Sequence, residues 1–314
     1  MIGKGIFVWK EAYINPSGGF QGVVDQCIDL GLDWVAIKIG NGSSTAYASF
    51  ADMPGAVKRL HEAGIKVWGW HYVTGGNGYS SIGPMNDAVF AYDQCTRLEL
   101  DGYLIDAESE YKTGSDPKGR AQVYADALQG LGARMPIGLC SYRFPTLHPE
   151  FPWVEMLSVC TLHVPQLYWG PGRWLTDLNR SYSELEALKN LPFVPDGRNY
   201  VGDGYAGPTP GNETLWIQQF VAEINGFMQA CKDRKYPGFT SWALDFMFLS
   251  THAGGEERYA AVKSFEWWRE VEAEPFPDVD HALATLAVRQ KAMYDDLVRN
   301  FPDLTWTNIA QVFR

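Results

Sequence analysis

The sequence has little of what would tie it to nucleic acid, to a membrane or to a disulfide framework. Lysine and arginine number 26 against 37 aspartates and glutamates, a formal net charge of −11. Binding to nucleic acid rests on basic residues that neutralise phosphate, so nucleic acid is not an expected partner. No run approaches the roughly 18 apolar residues that a membrane helix needs, so no membrane span is expected. The opening residues Met1-Ile2-Gly3-Lys4-Gly5 lead straight into a strand-like run without a signal-peptide apolar region. The expectation is synthesis in the cytoplasm, with a non-classical or phage-type route if the protein acts outside the cell. The five cysteines, Cys27, Cys95, Cys140, Cys160 and Cys231, are odd in number and lack any CxxC spacing. Cys27 and Cys140 sit in apolar stretches and read as small buried hydrophobes, and the set as a whole points to a chain folded under reducing conditions.

Motifs for several chemistries are also missing. There is no HExxH, no P-loop, no GxSxG elbow, and no GxGxxG after the first strand-like run. His61, Asp106, Glu108 and His163 do not fall in a metal-ligand spacing. No metal and no cofactor is expected.

Aromatic residues are abundant: 12 Trp, 16 Tyr and 16 Phe in 314 residues. Surplus Trp and Tyr either fill a large core or line grooves where sugar rings stack on flat π-faces. At 46% hydrophobic and 20% charged residues the chain can bury a sizeable core.

Short β-rich runs alternate with longer helical ones, the mark of βα units around a parallel sheet. Strands are predicted at 5–9, 34–39, 66–72, 102–107, 136–142, 164–168, 200–204 and 238–244. Helices are predicted at 20–30, 53–63, 86–98, 120–131, 183–189, 213–232 and 256–271. The phrases DLGLDWVAI and EAGIKVWGW repeat one pattern of helix end, glycine, turn and strand. Eight strands close a barrel, so the expected fold is an α/β, (β/α)8 TIM-type barrel over 1–274. The sixth strand is the least regular, because Pro165 cannot donate to a central ladder. An open doubly wound sheet is the rival architecture, disfavoured by the missing glycine-rich turn. The run EPFPD at 274–278 marks a break, after which 275–314 is read as a short C-terminal helical extension. That tail packs on the barrel base or serves attachment or oligomerisation.

In such a barrel the chemistry lies at the C-terminal strand ends. Those ends carry Trp9-Lys10-Glu11, Lys38, His71-Tyr72, Asp106-Ala107-Glu108, Tyr142-Arg143, Gln166, Tyr168-Trp169, Asp203, Tyr205, Trp242 and Asp245. The fourth strand is the most informative. Residues two apart share a face, so Leu104, Asp106 and Glu108 line up with the two acids outermost. Neighbouring carboxylates repel, which raises one pKa toward what a general acid for glycosidic cleavage needs. The other reading is that the acids cap a helix or pair with Lys38 and Arg143. His71 is a proton carrier or a core histidine. Lys38 pairs with a site carboxylate or belongs to a structural ion pair. Glu11 is an extra acid or solvent-exposed, and Trp9, Trp70, Trp169 and Trp174 are sugar platforms or face helices.

The segment Asp101-Gly102-x-x-Ile105-Asp106-x-Glu108 resembles the DGxDxDxE strand of family 18 chitinases. Gln166-Leu167-Tyr168 resembles their sixth-strand tyrosine motif, and 238–245, GFTSWALD, their GxxxWxxD. The chain is also similar to family 25 muramidases through Ala36-Ile37-Lys38, Gly69-Trp70-His71-Tyr72 and Asp106-Ala107-Glu108. The resemblance implies a retaining glycoside hydrolase acting on a β-linked N-acetylhexosamine polysaccharide, peptidoglycan or chitin-like. It makes Glu108 the acid/base, with the substrate acetamido group as nucleophile. Asp106 would polarise that group, Tyr168 would donate to it, and Trp242 would floor the reacting sugar. Lys38, His71, Gln166, Trp9, Trp169, Asp203 and Asp245 complete the expected binding set. Leu104 stands where the chitinase pattern has a further Asp, and Phe7 where the muramidase pattern has one. The alternative is therefore a non-catalytic carbohydrate-binding or structural barrel, as in a phage or cell-surface assembly.

Overall fold

Alternation of inward and outward side chains along each strand is what builds this molecule. A computed structural model describes residues 1–15, 19–77 and 83–267; the expected helical extension at 275–314 lies outside the described residues. The strands are β1 (Gly3–Val8), β2 (Trp34–Asn41), β3 (Lys66–Val73), β4 (Gly102–Ala107), β5 (Ile137–Cys140), β6 (Leu162–His163), β7 (Gln166–Leu167), β8 (Asp196–Arg198) and β9 (Gly238–Trp242). Between them run α1 (Glu11–Ile14), α2 (Gln21–Asp29), α3 (Met53–Glu62), α4 (Pro84–Arg97), α5 (Pro117–Gly130), α6 (Trp153–Leu157), α7 (Trp174–Leu188), α8 (Glu213–Asp233) and α9 (Gly255–Ser264).

All strand pairings are parallel, in the order β6-β5-β4-β3-β2-β1-β9-β8-β7. The two ends of that order, β6 and β7, are successive pieces of one path interrupted at Val164-Pro165. On one side Val164 N donates to Leu139 O and Gln166 N to Ser141 O, each at 2.9 Å. On the other, Val194 N donates to His163 O at 2.9 Å and Asp196 N to Pro165 O at 3.0 Å. The path is thus bonded to both neighbours and closes the ring as its sixth stave. Pro165, lacking an N–H, splits the strand without opening the wall. The fold is a (β/α)8 barrel.

Two expectations about elements need correction. The seventh stave is Asp196–Arg198, not 200–204. At 200–204 the chain turns: Gly202 and Tyr205 bond each other's backbone and Asp203 adopts φ +45°. Helix α7 begins nine residues before the predicted 183, because Leu178, Ser181 and Leu185 bury one face against the barrel.

The parity of the strands sorts the core into two layers. Ile6, Val8, Val35, Ile37, Val67, Ile105, Leu139 and Phe239 face the helices. Phe7, Trp34, Ala36, Trp68, Trp70, Leu104, Cys140, Val164 and Val194 fill the interior. At the bottom, Gly5 and Gly102 leave the room that Trp34 and Trp68 occupy. A Cβ on Gly5 would come 2.0 Å from the Trp34 ring, and one on Gly102 2.5 Å from that of Trp68. Burying rings of this size removes on the order of 200 Å² each, about 5 kcal/mol of gross hydrophobic stabilisation per ring.

Candidate active site

The same parity places polar groups inside the barrel once the apolar layers end. Above Ala36, Trp70 and Leu104 the next inward positions are Lys38 on β2, Tyr72 on β3 and Asp106 on β4, with Glu108 one step beyond. Gln166 and Tyr168 extend from the sixth stave, and Trp242 ends β9. These side chains, with Phe7, Trp9, Tyr200, Asp203 and Phe246, surround a cavity of about 390 Å³ at the C-terminal mouth.

The two acids meet at one amide. Gln166 Nε2 donates to Glu108 Oε1 at 2.8 Å and to Asp106 Oδ1 at 3.1 Å. Asp106 is only 6% exposed. Burial first, then the neighbouring Glu108, pushes its pKa well above the ordinary carboxylate range, against the pull of Lys38. Burial also raises Glu108, whose carboxylate is partly steadied by the Gln166 hydrogen bond and by Lys112. Lys38 is lowered to about 8, mainly by its own burial. Its Nζ lies 4.4 Å from the Trp70 ring centroid, a cation–π contact that holds the ammonium over the cavity wall. The arrangement sets two acids with raised pKa values side by side, with a cation facing both.

Aromatic rings form the remaining wall. Trp242 packs against Phe7 and Trp70 with centroids 5.4 and 5.2 Å away. Tyr200 sits edge-on to Tyr168 at 5.3 Å, and Trp9 leans toward Phe246 at 6.2 Å. Tyr168 donates its hydroxyl to Asp196 Oδ2 at 2.7 Å. Asp196 is fully buried and its Oδ1 has no hydrogen-bond partner. Burial drives its pKa well above the ordinary range. Asp203 accepts the Tyr200 hydroxyl proton, and Tyr72 donates to Glu110 Oε2 at 2.7 Å.

Of the residues expected from sequence, the cavity gathers Asp106, Glu108, Tyr168, Gln166, Lys38, Trp9, Trp242 and Asp203. Three are placed elsewhere. His71 shares the parity of Val67 and Gly69 and points outward, where it is fully buried. Its Nε2 bonds Gly42 O and its Nδ1 lies 3.1 Å from the Tyr103 hydroxyl. Burial lowers its pKa to about 4, so it is the neutral core histidine of the two readings. Trp169 likewise turns outward, onto Phe227 at 5.0 Å, and donates Nε1 to Glu223 at 2.8 Å. Asp245 lies under the turn after β1, accepting from Trp9 N at 2.7 Å and from Lys10 N. It orients Trp9 from behind and does not face the cavity.

Asp196, Tyr200 and Phe246 were not anticipated. The alternation Val194, Asp196, Arg198 carried the signal for Asp196, but Pro195 and Gly197 between them read as a turn. Among the described residues no group of three or more His, Cys, Asp or Glu is placed to hold a metal ion, and no helix is long and apolar enough to cross a membrane.

No protein-family model and no curated protein matches the sequence. Solved structures do match. A GH18 chitinase from Pseudoalteromonas aurantia aligns at 16% identity and TM-score 0.54, over 83% of this chain and 98% of that one. An endo-β-N-acetylglucosaminidase from Cordyceps militaris gives 16% and 0.55, over 83% and 90%. A glycoside hydrolase family 18 N-acetylglucosaminidase from Paenibacillus barengoltzii gives 12% and 0.55, over 83% and 100%. The likeness is one of fold, a barrel shared with glycoside hydrolases along nearly their whole length.

Proposed function

We propose that this protein is a retaining glycoside hydrolase that cleaves a β-linked N-acetylhexosamine polysaccharide. The observation that carries the reading is the pair Asp106 and Glu108, bridged by Gln166 in a cavity walled by tryptophan and tyrosine. The chitinase and N-acetylglucosaminidases with the same fold support it.

Glu108, at the mouth and with a raised pKa, gives its proton to the glycosidic oxygen as the bond to the anomeric carbon breaks. The acetamido carbonyl oxygen of the same sugar attacks that carbon from the opposite face and closes an oxazolinium ring. Asp106 takes the amide N–H and offsets the charge that develops on the ring. Tyr168 turns its hydroxyl from Asp196 to the acetamido oxygen. Water, deprotonated by Glu108, opens the ring and restores the original anomeric configuration. Trp242 supplies the flat floor.

Proton NMR of the first-formed product from an N-acetylglucosamine oligomer tests this directly. The β-anomer is expected, and an initial α-anomer would overturn it. Glu108→Gln should lower turnover by about 10³-fold, within the usual range for removing a general acid, with the folded state intact by circular dichroism.

One observation favours a second reading. Beneath Asp106 the interior is lined by Leu104, Cys140 and Trp70, and Leu104 stands where the chitinase pattern has a further Asp. A barrel that binds the glycan without cleaving it would show calorimetric binding and no product on any N-acetylated polymer.

A further inference from the structure

The fold ties down one buried lysine and leaves another untied. Lys4, 5% exposed, donates its Nζ to the carbonyls of Val262 and Phe265, each at 3.1 Å. Lys38, 6% exposed, is fastened through its backbone: its N donates to Ser49 Oγ at 2.7 Å, and its carbonyl accepts from Ser49 N at 2.9 Å. Ser49 in turn donates Oγ to Val8 O at 2.7 Å, which pins this end of β2 to β1. Among the described residues the Lys38 Nζ has no hydrogen-bond acceptor and no carboxylate within 4.0 Å. It lies 4.4 Å from the Trp70 ring centroid and 5.9 Å from that of Tyr72, on the wall of the cavity that Asp106 and Glu108 also line.

An ammonium taken out of water with no carbonyl or carboxylate against it is disfavoured, so this setting favours the free amine. Burial lowers the Lys38 pKa to about 8; Lys10 adds to the effect, while Asp106 and Glu108 pull back from beyond ion-pair distance. A sizeable share of the side chain therefore carries a lone pair near neutral pH, where a lysine in water at about 10.4 has almost none. The gap between Nζ and the two acids leaves room for a reacting carbon. A nucleophile and two groups able to give and take a proton thus face one space. The hydroxyl-binding carboxyls and the Trp242 face around it suit a neutral polyhydroxy chain.

We propose that Lys38 is the nucleophile of a second activity, the reversible capture of an open-chain aldose as an imine. This activity goes beyond the hydrolase reading and does not rest on it. The Nζ lone pair adds to the aldehyde carbon, and the carbonyl oxygen takes a proton from the acid pair. The nitrogen then returns a proton to that pair, which leaves a carbinolamine. The acid pair protonates its hydroxyl, the C–O bond breaks, water departs, and the nitrogen lone pair closes the C=N bond. Amine, aldehyde and one proton become an iminium and one water, with the iminium charge facing the carboxylate that gave the proton. No oxidant or reductant is consumed.

Sodium cyanoborohydride, which reduces an imine as it forms, makes the capture permanent. The protein is incubated with it and D-glyceraldehyde near neutral pH, and the adducts are located by peptide mass mapping. Lys38 is expected to be labelled about tenfold faster than Lys58 or Lys66, although their side chains are 76% and 68% exposed. Asp106→Asn combined with Glu108→Gln should slow the Lys38 label at least about tenfold and leave the Lys58 rate alone, with the fold checked by circular dichroism. Lys38→Arg, which keeps the positive charge, should remove the fast phase of adduct formation seen by intact mass. Labelling ordered by exposure, with Lys58 and Lys66 ahead, overturns the proposal. So does a Lys38 rate that the double substitution leaves unchanged, or a fast phase that survives Lys38→Arg.

Discussion

The two arcs of the barrel are built differently. In the first, β1 to β4 run six to eight residues, and β2 and β3 match over seven paired positions. In the second, β6, β7 and β8 run two or three. The first arc is held by its backbone ladder and by apolar side chains on both faces. The second is held by buried guanidinium groups. Arg198 donates to the carbonyls of Tyr168, Trp169, Tyr200, Gly202 and Asp203. Arg258 donates to those of Asn199, Phe246, His252 and Gly254. Each uses most of its five N–H groups on backbone carbonyls of turns and strand ends. Where the ladder is short, one side chain does what a row of backbone bonds does elsewhere, and the loops it ties carry Tyr168, Tyr200 and Asp203 into the cleft.

The sharpest way to break this contrast is Arg198→Met. Several buried carbonyls lose their donor at once, and a loss of about 4 kcal/mol in urea unfolding is expected. A loss under about 1 kcal/mol would mean that the second arc stands without its guanidinium.

A smaller effect separates the arcs by pH. His71, behind the first arc, has its pKa lowered by burial to about 4 from an ordinary 6.5. Its contribution is complete above pH 6.5 and is lost as pH falls through about 4, because the unfolded chain takes up the proton first. Asp245, which closes the second arc onto β1, is raised by burial to about 6 from 3.8. Its contribution is complete below pH 3.8 and is lost as pH rises through about 6. The stability difference between wild type and His71→Gln should therefore grow from pH 4 to 6.5, while that between wild type and Asp245→Asn should shrink. Each change is about 3 kcal/mol at most. Parallel curves would show that one of the two groups titrates as it does in water.

The least effect is expected at the rim. Lys66 reaches Asp101 at 2.8 Å but is 68% exposed, and Asp101 also holds His61 and the Val67 amide. Lys66→Ala should leave the urea midpoint almost unchanged, with any shift seen only at low salt.

How much of this was legible follows the same division. β4 has the bounds read from the sequence, and the period-two rule turned Leu104, Asp106 and Glu108 to one side, as found. Applied to β3, that rule would also have sent His71 outward with Val67 and Gly69, and past the sixth stave it would have sent Trp169 out with Leu167. Listing strand ends without their parity is what put both in the pocket. The second arc was harder for a physical reason. Pro165, Pro195 and Gly197 weaken the local strand signal, and order there comes from Arg198 contacts across the fold. Asp196 was hidden by that same run, and Asp245 was misplaced because its backbone partners, Trp9 and Lys10, lie at the other end of the chain.

The tryptophans seated on Gly5 and Gly102 have a consequence for how a long molecule could be handled. They stopper the tunnel, so the cleft is a cup and not a pipe. On the proposed reading, a polymer would meet the site only from the rim, entering and leaving by the same opening. A chain cleaved as proposed would have to bend where it enters the cup, which favours loose or swollen strands over those locked flat in a crystal.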